Sequence, residues 1–225
     1  MSLNTGEAID FYVDWPGWEL SENKFGDEFD RAARIRMIVG SRQLLPFLFK
    51  HISALTGSIL EIGPFFNPLL TCSELNHKLP PDVNLTFLEN DPHALQYLTD
   101  KGRKVLDIDL NGKDVKLKFK EEFRRCNFES AHKFNAIVLS QVLNYVDVYA
   151  IFALLKPFLA TKGLLFINNV IDYGIPQLFS RNRPSSNDQI VQNVVTNGYV
   201  IYEEQCLAKI FEKEPDLRLI IVATH

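Results

Sequence analysis

Between Ser58 and Val170 short apolar runs alternate with amphipathic segments, and this alternation constrains the fold more than any other feature of the chain. Strands are expected at "SILEI" (58–62), "NLTFLE" (84–89), "RKVLDI" (103–108), "FNAIVLS" (134–140) and "GLLFINNV" (163–170). Helical periodicity falls between them, near 68–79, 92–101, 119–127 and 147–159. The helix at 92 has a clear start, with Asp91 as N-cap and Pro92 in the first helical position. "DVKLKFK" (114–120) alternates as a strand would and competes with the third strand. "GYVIYEE" and "LRLIIVAT" read as a closing antiparallel pair. Such alternation predicts an α/β fold, a doubly wound, mostly parallel sheet of about seven strands with helices on both faces.

Ahead of this region, "DEFDRAARIRMIVGSRQLLPFLFKHISAL" is helical in period, with Phe29, Ile35, Ile38 and Leu45 facing inward. Gly40 and Pro46 are expected to divide it into two helices. The reading is therefore an N-terminal helical extension over residues 1–55 and a main domain over 56–225.

Composition weighs against several classes. A net charge of −4 argues against a protein that lives on nucleic acid or anionic membrane. The basic run "KDVKLKFKEEFRR" is interrupted by Asp114, Glu121 and Glu122 and reads as a solvated helix face. Three distant cysteines and scattered histidines suggest reduced thiols and no metal site. The N-terminus lacks a secretory pattern and the apolar stretches are too short to span a membrane, so a cytoplasmic location is expected.

In a doubly wound sheet, ligands sit outside the carboxyl ends of the strands, where strand order reverses. That rule selects residues before any motif does. After the first strand stands "EIGPFFNP", with Glu61, Gly63, Pro64, Phe65 and Asn67; Gly63 permits close approach of a ligand, and Pro68 suits a helix start whose N–H groups face it. An ordinary strand-to-helix turn is the competing reading. After the second come Glu89 and Asn90; the acid, 26 residues beyond Gly63, stands either where a carboxylate takes the ribose diol of a nucleoside or as a solvated acid at a strand end. After the third, Asp107 and Asp109 point to one face and Ile108 to the other; Asp109, with Leu110, lies nearer the opening loop, and the competing reading makes both plain surface acids. After the fourth, Ser140 and Gln141 end an apolar run, with Asn144 and Tyr145 one turn on.

Taken together, "ILEIGP", "LTFLENDPHALQYL", "VLDIDL", "FNAIVLSQVLNYV" and "LLKPFLATKGLLFI" resemble, in order, the class I S-adenosylmethionine-dependent methyltransferases. The resemblance covers roughly Ser58 to Val170 and implies a Rossmann-like fold with an antiparallel C-terminal strand. It implies S-adenosyl-L-methionine as cofactor: the Gly63 loop against its methionine part, Glu89 on the ribose, Asp109 on the adenine amine, and Ser140 or Gln141 on the remaining polar atoms. Phe65 and Asn67 stand where the family usually has its second and third glycines, and Asn67 is expected to take a positive φ. A glycine-poor loop suits a phosphate-free nucleoside better than the pyrophosphate of a dehydrogenase cofactor.

Methyl transfer from a sulfonium needs alignment and exclusion of water, and a base only when the acceptor must lose a proton. Tyr12, His51, Tyr145 and Asp172 are candidates for that base, and none is singled out. Tyr12, Trp15 and Trp18 are expected to cover the strand ends or pack on the core, and Arg181 and Arg183 to meet an anionic acceptor or solvent. The expected activity is methylation of a small-molecule acceptor. The alternatives are a catalytically inactive binding or scaffold protein, or a ribosomal-RNA methyltransferase, whose loops "FNPL" (66–69) also resembles.

Overall fold

The computed structural model describes residues 37–129, 131–172, 180–208 and 217–225. Its centre is one seven-stranded sheet: β1 (Ser58–Ile62), β2 (Asn84–Glu89), β3 (Lys104–Asp107), β4 (Phe134–Ser140), β5 (Leu159–Asn169), β6 (Val200–Leu207) and β7 (Arg218–Thr224). The strands lie in the order β3-β2-β1-β4-β5-β7-β6, parallel except for β7, which runs antiparallel to both neighbours. Chain order reverses between β1 and β4, and there Ile62 is level with Leu88 on one side and Leu139 on the other.

Because successive strand residues point to opposite faces, the sheet feeds two cores. On one face Leu60, Ile62, Leu106, Ile137 and Leu165 pack under α4 (Val115–Arg125), α5 (Ile151–Leu155) and α6 (Asn187–Thr196). On the other, Ile59, Phe87, Val138 and Phe166 pack under Leu44, α1 (Leu45–Lys50), α2 (Ser73–Asn76) and α3 (Pro92–Asp100). Ile38 and Leu45 are buried as their period requires, whereas Phe29 and Ile35 lie outside the described residues. The break between the two N-terminal helices falls at the turn 43–44; Gly40 stays helical and Pro46 opens α1.

Asp91 caps α3 as expected, its Oδ1 accepting from the His93 and Ala94 amides at 3.0 Å. "DVKLKFK" is helix, not strand, because Phe119 and Phe123 bury one face of α4 with Glu122. β5 starts four residues earlier than expected; Lys162 takes a left-handed turn (φ 63) within the strand. The helix expected over 68–79 is only a 3-10 turn, Leu69–Thr71, and then the one-turn α2, because Cys72 between them is extended. Among the described residues no helix is long and apolar enough to cross a membrane.

Candidate functional site

The carboxyl ends of β1, β2, β3 and β4 bring together most of the residues selected from sequence. Gly63 follows β1 with φ +64, is exposed, and its N–H donates to Leu88 O at 2.8 Å. A Cβ on Gly63 would lie 2.8 Å from Val142 Cγ2, so the β1 and β4 loops meet there only because the residue is glycine. The next left-handed residue is Phe65 (φ 53); Asn67, expected to fill that role, does not. Pro64 is buried and Asn67 half-buried.

Both phenylalanines turn into the core. Phe66 is fully buried, edge-on to Tyr97 with ring centroids 5.5 Å apart, and half-buried Phe65 packs edge-on to Phe66 at 4.4 Å. Fully burying a ring of this size is worth about 1.5–3 kcal/mol, comparable to the roughly 1–3 kcal/mol cost of a left-handed backbone, so the packing of Phe65 and Phe66 together offsets the strain at Phe65. The loop therefore turns its aromatic rings to the interior and leaves Gly63 exposed at the strand ends.

Two buried acids hold this loop. Glu61 accepts from the Leu69 and Leu70 amides at 2.7 and 2.9 Å. Those are the helix-start N–H groups expected to face a ligand; Glu61 takes them instead. Burial pushes its carboxyl up to about 7, against the opposing pull of those two amides and of Arg42. Glu89, also buried, accepts from the Phe65 amide at 2.9 Å through Oε2 and from the Asn90 and Asp91 amides at 2.9 and 3.0 Å through Oε1. The acid at the end of β2 is thus turned toward the Gly63–Phe65 loop. Asn90 and Asp109 are exposed at the adjoining strand ends, and Leu110 packs partly on the core. Asp107 and Asp109 share the exposed side while Ile108 is buried, as alternation requires.

At the β4 end the placement differs from expectation. Gln141 is buried and left-handed (φ 61), and its amide engages the N-terminal helical residues: Nε2 donates to Met37 O and, at 2.9 Å, to Ser41 Oγ. Ser140 Oγ accepts from Asn168 Nδ2 at 3.2 Å. Tyr145 comes to the β3 side, its carbonyl accepting from Asn111 Nδ2 at 2.8 Å, and Asp172 lies half-buried just beyond β5. His51 is not at the strand ends. It meets Glu203 at 2.6 Å and the Phe166 ring at 6.0 Å, level with the middle of β5. Tyr12, Trp15 and Trp18 lie outside the described residues. Arg181 and Arg183 are exposed.

Sequence reasoning passed over Asn168, Asn169 and Arg218, all buried at this end of the sheet. Asn169 donates to Asn144 Oδ1 at 3.3 Å and to Val170 O at 3.2 Å, which leaves its own buried Oδ1 without a hydrogen-bond partner. The visible signal was the polar pair "NN" ending an otherwise apolar run.

No family model and no curated relative matches the chain. Solved structures do. The glycopeptide N-methyltransferase MtfA complexed with S-adenosyl-L-methionine superposes with TM-score 0.55 at 14% identity, over 83% of this chain and 94% of that one. An S-adenosylmethionine-dependent methyltransferase from Clostridium acetobutylicum gives 0.54 at 9% identity, over 93% and 97%. The 1,6-didemethyltoxoflavin-N1-methyltransferase of Burkholderia thailandensis gives 0.57 at 10% identity, over 94% and 90%. The chain has the class I S-adenosylmethionine-dependent methyltransferase fold. At these identities the likeness establishes architecture and leaves chemistry to the residues at the strand ends.

Proposed function

We propose that the protein is an S-adenosylmethionine-dependent methyltransferase acting on a small-molecule acceptor. The observation that carries this is the pairing at the topological switch of exposed, left-handed Gly63 with buried Glu89, whose carboxylate faces the Gly63–Phe65 loop. The cleft floor fits a phosphate-free nucleoside: backbone from Gly63 to Phe65, a fixed acid at the end of β2, and a second acid, Asp109, exposed one strand further on. Neighbouring structures of this fold hold S-adenosylmethionine or S-adenosylhomocysteine, which supports the same cofactor here.

When bound, the cofactor supplies a methyl group on a sulfonium. The chain's own part is then to hold the ribose with Glu89 and the adenine with Asp109, to carry the methionine end along Gly63, and to keep water away. Glu61 acts one step back by fixing the helix start behind the loop. Tyr145 and Asp172 are the base candidates beside the strand ends, with Tyr12 outside the described residues and His51 away from this end of the sheet. The neighbours named for small acceptors support an acceptor of that class. The division into an extension (1–55) and a methyltransferase-like domain (56–225) belongs to the same proposal.

Calorimetry with S-adenosylmethionine and S-adenosylhomocysteine tests it. Wild type is expected to bind both. Glu89→Gln, verified as folded by circular dichroism, is expected to bind roughly 10–100-fold more weakly, the equivalent of one charge-assisted hydrogen-bonding group. Absence of binding by wild type at millimolar ligand would sink the proposal.

A further inference from the structure

Arg218 is a fully buried cation, and it sits where β7 begins, beside the carboxyl ends of β4 and β5. Its Nη1 donates to Gln141 Oε1 at 3.3 Å and to Asn168 Oδ1 at 3.2 Å. The same two amides reach the other way: Gln141 Nε2 donates to Met37 O and Ser41 Oγ, and Asn168 Nδ2 donates to Gly40 O at 2.8 Å. These groups belong to the last turns of helical residues 37–42, whose aligned carbonyl dipoles concentrate negative charge toward the carboxyl end and favour a cation there. Guanidinium, two side-chain amides and a helix end therefore form one clasp.

The clasp closes on a residue with an unusual backbone. Gln141 is left-handed, a conformation that a non-glycine residue keeps only when its surroundings over-determine it. Its side chain is gripped as described, and its N–H donates to Asn168 O at 2.6 Å. The next residue, Val142, packs on the Gly63 turn. Arg218 and the helix end are thus joined to the cofactor cleft through Gln141 and Val142.

We infer that Arg218 is a positioning residue for this cleft: with Asn168 and helical residues 37–42 it holds Gln141 left-handed and so sets Val142 against Gly63. The inference rests on the cofactor reading proposed above. It gives Gln141 a role distinct from touching cofactor through its side chain, which is engaged elsewhere.

Gly40→Ala is the test, because it wedges the clasp while keeping every hydrogen-bonding group in it, the Gly40 carbonyl included. Its Cβ would lie 2.6 Å from Arg218 Nη2 and 2.9 Å from both Arg218 Cζ and Gln141 Oε1. In an ordinary helix this exchange is favourable. The clasp predicts instead that amide exchange at residues 141–145 speeds up, and that S-adenosylhomocysteine binds about tenfold more weakly, the scale of one released left-handed residue. Adding Gln141→Gly should restore affinity, since glycine takes a positive φ unaided. Unchanged exchange overturns the clasp; faster exchange with unchanged affinity, or failure of the glycine rescue, overturns its positioning role. Should Gly40→Ala not fold, Gln141→Ala is compared with Gln141→Gly: weaker binding by alanine supports the inference, and equal binding overturns it. If wild type binds no S-adenosylhomocysteine, the cofactor reading fails by itself, and the exchange measurement still decides whether the clasp holds the turn.

Discussion

Replacing Glu61 by glutamine should change the pH dependence of stability in a way that can be worked out from its surroundings. The carboxyl group is buried behind the β1 loop, and burial raises it from its ordinary 4.5 to about 7. Below pH 4.5 it is protonated in both folded and unfolded chains. Between 4.5 and about 7 the unfolded chain gives up a proton that the folded chain keeps, so stability falls as pH rises and levels off above 7. At 1.36 kcal/mol per pH unit the whole fall is roughly 3 kcal/mol. Glutamine cannot titrate, and it leaves one of the Leu69 and Leu70 amides facing an NH2 group, a cost of about 1–3 kcal/mol at every pH. Urea unfolding of both proteins between pH 4 and 8 isolates the effect, because other carboxylates, including the depressed Glu122 and Glu203, cancel in the difference. The advantage of wild type over Glu61→Gln should shrink by roughly 3 kcal/mol from pH 4 to pH 8. A difference that stays constant, or grows, with pH would refute the reasoning.

Two further outcomes are expected. Gly63→Ala combines a positive φ with a 2.8 Å approach to Val142; it should lose about 1–3 kcal/mol of stability by urea unfolding and weaken S-adenosylhomocysteine binding in calorimetry. Tyr199→Phe removes the hydroxyl that donates to Phe152 O at 3.0 Å and should cost about 1 kcal/mol; in wild type, burial raises this phenol, so ultraviolet titration should show one tyrosine resisting ionisation until the fold is lost.

The parts legible in the sequence were those set by local periodicity. β1, β2 and β4 fall on their expected bounds because each is a largely buried apolar run, closed by Gly63 after β1 and by Glu89 and Ser140 at the ends of β2 and β4. The α3 start was equally plain, since Asp91 and Pro92 fix it by their own chemistry. Errors arose where a distant partner decides. The helix after Gly63 is short because its first amides belong to Glu61 and because Cys72 is extended, neither of which a 3.6-residue period records. Phe65, rather than Asn67, is left-handed because the core beneath it takes the ring. The strand-end rule picked out Gly63, Glu89 and Asp109 without a motif, and the fold gathers them at one end of the sheet; Gln141, which the family resemblance offered with Ser140 for the cofactor's remaining polar atoms, has its side chain on Arg218 and Met37. Gln141 and Arg218 are 77 residues apart, and only the sheet order makes them neighbours.

The place of β7 bears on how the chain is made. It lies between β5 and β6, is buried throughout, and is the last of the seven strands in sequence order. During synthesis, β6 is therefore made before the strand that it pairs with. Until Arg218–Thr224 arrives, β5 exposes an unpaired, strongly apolar edge, the kind of surface on which chains aggregate. A product cut short before Arg218 would lose an interior strand and the cation of the clasp together. Quality control should meet such a product as a sticky five-stranded intermediate with β6 unmoored.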